Sequence, residues 1–153
     1  MRRGVTTTLL VMLCLLCTPH IIAYPIGIGQ EADSGCLCHG IAEESVSINI
    51  TGIPEKWESN TTYTISFSVS NNDVNQERGG FRMLVSGGEV NYSSEKVQEI
   101  DGGFTHTSNG SYQRNWSIDW TSPQDANKTV NFKLFGNAVN GDGTCLLYTS
   151  HAA

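Results

Sequence analysis

The chain has 153 residues, 39% hydrophobic and only 16% charged, with nine basic against fifteen acidic residues and a formal charge of −6. That is chain enough for one domain, in the Asn-, Ser-, Thr- and Gly-rich composition of extracellular β proteins. So acidic a chain has no electrostatic footprint for nucleic acid, and its lysines and arginines are too scattered to form a polybasic membrane patch.

Residues 1–23 have the order of a secretory signal peptide. Met1-Arg2-Arg3 is a positive start, Leu9 to Cys17 is an unbroken apolar core, and Ala23 supplies the small residue before a cut at Ala23/Tyr24. The apolar run is too short to span a bilayer stably. A retained anchor helix is the alternative. Cys14 and Cys17 follow leucines rather than the small residue of a lipoprotein signal, so lipidation is not expected. Processing leaves seven basic residues against fifteen acidic ones, a charge of −8. The protein is therefore expected outside the cytoplasm, secreted or at the cell surface.

Residues 24–44 show little β pattern and form an irregular segment that holds Cys36, Cys38 and His39. Strands are expected from residue 45 onward. Ser45 to Thr51 alternates apolar and polar residues. Tyr63, Ile65, Phe67 and Val69 alternate with Thr64, Ser66, Ser68 and Ser70. Phe81 to Val85 and Glu89 to Ser93 read as a hairpin turned by Gly87-Gly88. Asn71-Asn72-Asp73 and Asp101-Gly102-Gly103 punctuate between strands. Tyr112, Trp116, Ile118 and Trp120 share one parity, as do Val130, Phe132 and Leu134. Period two with β-branched and aromatic residues means half-buried strands. Roughly seven or eight such strands argue for an antiparallel two-sheet sandwich over residues 45–144. Its expected core is Val46, Ile48, Ile65, Phe67, Phe81, Trp116, Ile118, Trp120, Val130, Phe132 and Leu134.

Six Asn-x-Ser/Thr sequons begin at Asn49, Asn60, Asn91, Asn109, Asn115 and Asn127, half of the twelve asparagines. Together they point to a surface glycoprotein. The alternative is a Thr- and Asn-rich strand composition that makes sequons by chance. Residues 145–153 break from what precedes them. Their start, Cys145-Leu-Leu-Tyr-Thr-Ser150, is also what one reading frame of a common transposon-based sequencing adapter encodes. They are expected to be a library artefact on a truncated C-terminus; a genuine short strand is the alternative.

Three stretches resemble a known family. Gly80 to Ser86 is similar to the Gly-Phe strand of Reelin-type (reeler) domains. His106-Thr107, followed by Trp116 to Pro123, resembles their H-(T/S)…W-x-x-W-x-x-P stretch, with one more residue between the two tryptophans here. Val130 to Phe135 and Asn137 to Gly143 resemble the strand and Asn-Gly turn that follow. The closest likeness is to the prokaryotic choice-of-anchor V group, whose members are exported and use varied C-terminal anchors. The resemblance covers roughly Gly35 to Gly143. It implies an immunoglobulin-like β-sandwich with an extracellular role, associated with a membrane only through a missing C-terminal anchor.

Many members begin with a cysteine pair, His and Gly, often spaced as the c-type haem signature C-x-x-C-H. Here the stretch is Cys36-Leu37-Cys38-His39-Gly40, one residue short, which changes where the sulfurs reach relative to the imidazole. Three readings stand. A haem c would take His39 as one iron ligand and His106 or Met83 as the second. Cys36, Cys38, His39 and His106 would make a Cys2His2 site for zinc or cuprous copper, though adjacent ligands crowd one ion. Exported thiols also oxidise, and a Cys36–Cys38 bridge would close a small strained ring. His106 has a plainer alternative as a residue that bonds a turn. No nucleophile elbow, H-E-x-x-H or phosphate-cradling loop is present, so no enzyme is expected. The expectation is a surface module that binds an extracellular protein or glycan, with a haem or metal electron-transfer domain as its rival.

Overall fold

A computed structural model describes residues 26–34, 46–72 and 77–139. The segment expected to be a signal peptide, residues 1–23, lies outside the described residues, as do Cys36, Cys38, His39 and the residues after 139. Eight strands run in chain order: β1 (Val46–Thr51), β2 (Thr62–Asn71), β3 (Arg78–Val85), β4 (Glu89–Asn91), β5 (Val97–Ile100), β6 (Gly103–His106), β7 (Asn115–Thr121) and β8 (Phe132–Val139). They form two four-stranded antiparallel sheets, ordered β1-β2-β7-β4 and β5-β6-β3-β8. The chain is an all-β sandwich, as its alternating pattern implies. Among the described residues no helix is long and apolar enough to cross a membrane.

The period-two reading places side chains as expected. On β2, Ile65, Phe67 and Val69 point inward while Thr62, Thr64, Ser66 and Ser70 are exposed. On β7, Trp116, Ile118 and Trp120 point inward opposite exposed Asn115, Ser117 and Asp119. Phe81 and Met83 of β3 and Phe132, Leu134 and Ala138 of β8 close the core from the facing sheet. The rings of Phe67 and Phe81 meet edge-on across the sheets at 4.7 Å, and Trp116 stacks on Phe67 at 5.8 Å. Each such side chain withdrawn from water contributes about 1.5–3 kcal/mol. Ile48 and Val130 are only partly buried, while Val69, Met83, Val97 and Ala138 join the core.

Two expectations fail. Tyr112 does not continue the β7 pattern: Asn109–Tyr112 is a single 3-10 turn, and Tyr112 is exposed beneath the Arg78 guanidinium, 4.0 Å from its ring centre. Nor do β3 and β4 form a hairpin. They lie in opposite sheets, so Gly87-Gly88 carries the chain from one layer to the other. Gly88 has φ +87°. A Cβ there would sit 2.5 Å from the Thr121 carbonyl oxygen and closer still to Trp120 Nε1. The indole in turn donates to the Gly87 carbonyl at 2.9 Å. Local turn chemistry marks a bend but does not say which sheet the next strand joins. Gly88→Ala combines a left-handed backbone with a clash, and is expected to cost about 2–4 kcal/mol in urea unfolding. An unchanged midpoint would show that the crossover tolerates a side chain.

A tight hairpin joins β5 and β6, with Asp101 at φ 48° and Gly102 at φ 68°. These paired positive angles suit the twist of the flanking strands.

Candidate functional site

His106 closes β6 and is 7% exposed. The backbone N–H of Phe81 donates to its Nδ1 at 3.2 Å, so that nitrogen is an acceptor and carries no proton. The imidazole lies close over Gly80, where a Cβ would fall 2.6 Å from Cε1. The Gly-Phe and His-Thr stretches are thus two halves of one contact: glycine makes room for the ring, and the next residue's amide binds it. This contact takes up Nδ1 on behalf of the fold. Met83, the other suggested second iron ligand, is fully buried between the sheets. Among the described residues no three His, Cys, Asp or Glu gather as a metal site. Cys36, Cys38 and His39, the rest of the suggested haem, zinc or copper set, lie outside the described residues.

The segment leading to those cysteines is part of the packed domain. Residues 26–34 cross the outer face of the β5-β6-β3-β8 sheet. Ile28 N–H donates to Thr105 Oγ1 at 3.3 Å, Gln98 donates to the Ile26 carbonyl, and Lys133 Nζ donates to the Asp33 carbonyl at 2.5 Å. Beneath this strap lies Arg82, 1% exposed. Its Nε bonds Asp33 Oδ1 at 2.8 Å, Nη1 the Ile100 carbonyl at 2.6 Å and Nη2 the Asp101 carbonyl at 3.2 Å. Phe135 pairs with Arg82 in register, so it faces the same way, and it is 2% exposed.

The outer face of the other sheet is open and polar. Cross-strand pairs tile it: Ser47 with Ser70 at 2.7 Å, Thr62 with Thr121 at 2.9 Å, and Thr64 donating to Asp119 at 2.7 Å. All six sequon asparagines are exposed. Asn49, Asn91 and Asn115 stand on this one face, and Asn49 and Asn115 flank Ser68 in a single row. Both line a shallow groove of about 370 Å³. Asn109 differs from the rest. Its sequon hydroxyl, on Ser111, is 6% exposed and donates to the Ser108 carbonyl at 2.7 Å. Modification after folding would therefore reach the other five and miss Asn109.

A second cleft, about 460 Å³, opens at one end of the sandwich between the β1–β2 and β7–β8 loops. Trp57 stands in it, edge-on to Trp120 with ring centres 6.0 Å apart. Lys56 and Lys128 line its sides. Sequence reading did not single out these residues. The available signal was a tryptophan set in a polar stretch, Pro54-Glu55-Lys56-Trp57-Glu58, with no strand to explain it.

No family model and no curated protein matches the chain. Among solved structures it is similar to the Reelin-N domain of F-spondin, at 16% identity and a TM-score of 0.47, over 72% of this chain and 81% of that one. Two structures of the human F-spondin reeler domain match over the same 72%, at 16% and 14% identity and TM-scores of 0.47 and 0.48, covering 84% and 88% of those chains.

Proposed function

We propose that this chain is an exported cell-surface glycoprotein module for binding or adhesion, part of a longer anchored protein, and not an enzyme. The observation that supports this reading is the placement of the sequons: all six asparagines are exposed. Buried asparagines would have favoured chance sequons in a strand-rich chain. The surfaces also divide the work. One outer face is covered by the 26–34 strap, and the other carries three acceptor asparagines. The loop end with the Trp57 cleft is left for a partner.

The test is secretion of the tagged chain from a host that N-glycosylates, followed by intact mass before and after peptide N-glycosidase. Secreted protein that loses the mass of several glycans, with one glycan fewer for Asn49→Gln and one fewer for Asn115→Gln, is the expected result. A chain that stays inside the cell, or emerges without glycans, would overturn the glycoprotein reading.

A further inference from the structure

We infer that the Trp57 cleft binds an acidic peptide segment of an extracellular partner, taking one aliphatic or aromatic side chain against Trp57 and flanking carboxylates on Lys56 and Lys128. The inference rests on the reading of this domain as a binding module and names the chemistry of what it binds.

Shape comes first. A concavity of about 460 Å³ lies in the size range of small-ligand sites and accommodates an anchoring side chain with its neighbours. Its wall mixes polar residues with the apolar Ile53, Trp57 and Val130. Ile53 is 36% exposed, one of three exposed large hydrophobics among the described residues. The other two are Ile26, at the start of the strap, and Tyr112, already under Arg78. Trp57 is half-buried, and behind it Trp120 and Phe132 form a rigid floor, their rings edge-on at 5.1 Å. A fixed aromatic floor loses little entropy when a ligand docks.

Charge supplies the selectivity. The chain is acidic overall, yet two of its four lysines line this one cleft. The other two have partners: Lys96 pairs with Glu95 at 3.7 Å, and Lys133 bonds the Asp33 carbonyl. Lys56 and Lys128 are exposed, and neither ammonium has an ion-pair partner among the described residues. Glu55 is the acid among the lining residues. Asp125, on the same loop as Lys128, turns its carboxylate onto its own loop and accepts the Asn127 N–H at 3.1 Å. Among the lining residues the two lysines outnumber Glu55, with Glu58 and Asp125 farther along the same loops, so the cleft offers two ammonium groups to an acidic segment on an otherwise negative surface. Exposed ammonium groups contribute modestly, so such binding should weaken as salt rises.

The experiment pans the full secreted chain, carrying Asn127→Gln so that no glycan stands beside the cleft, against a random heptapeptide library on phage. A synthetic copy of the enriched sequence is then titrated by fluorescence anisotropy. The expected sequences carry Leu, Phe or Trp flanked by Asp or Glu. Their affinity should fall about tenfold or more in the Lys56→Glu/Lys128→Glu double variant, whose exposed positions leave the thermal melt unchanged. Enrichment of neutral or basic sequences, or acidic peptides that bind the double variant equally well, would overturn the cleft while leaving a module that binds elsewhere. No enrichment of any sequence would overturn the cleft and count against the binding module itself.

Discussion

Trp120→Ala is expected to prevent secretion of folded protein. The indole is 0% exposed. It touches Trp57 edge-on, stacks on Tyr63 at 5.8 Å, and meets Phe132 edge-on at 5.1 Å. It also holds the Gly87 carbonyl at 2.9 Å, which ties the sheet-to-sheet crossover to the core. Truncation removes the largest fully buried side chain and leaves a cavity that rigid aromatic neighbours cannot fill. The cost is about 3–5 kcal/mol, comparable to the whole stability of a small domain. Urea unfolding of whatever protein is recovered measures it. Trp120→Phe should cost less, since it keeps most of the packing and loses the hydrogen bond. A wild-type midpoint for Trp120→Ala would remove this residue from the centre of the core.

Asp33→Ala is also expected to destabilise the domain, although it lies outside the sandwich. Arg82 has a side-chain exposure of 0%, and its ion-pair partner Asp33 has 34%. Two backbone carbonyls of the β5–β6 turn bind the guanidinium but carry no full charge. Removing the carboxylate strands a buried cation. Because water reaches Asp33, the expected cost is about 2–3 kcal/mol, below the 3–5 typical of a fully enclosed pair. Arg82→Met in the same chain should recover part of the loss, since the stranded charge is then gone. That recovery is the signature of pairing rather than of lost packing. Additive losses in the double variant would show that the strap and Arg82 act independently.

Much of the sandwich was legible because a strand's pleat is a local property. Alternate residues face opposite sides whatever the rest of the chain does, so Ile65-Phe67-Val69 and Trp116-Ile118-Trp120 declare their buried face within a few residues. The sequons were equally plain, being tripeptides. The Cys36-Leu37-Cys38-His39 motif was visible too, but its chemistry depends on what stands across from it in space. For His106, the local sequence did not show that its Nδ1 accepts from the backbone N–H of Phe81, 25 residues earlier in the chain.

Sequence alone settled that the chain is β-rich and acidic, and which faces of β2 and β7 are buried. Only the tertiary structure decided that Gly87-Gly88 crosses between sheets, that Phe135 is buried on the opposite side from Leu134, and that Asp33 reaches Arg82 across 49 residues of chain. The Trp57 cleft belongs to that second group, since its walls come from loops some 70 residues apart. The physical reason is range. Pleat and turn preferences act between near neighbours, whereas sheet order, strap docking and a cleft between loops depend on which distant surfaces exclude water together.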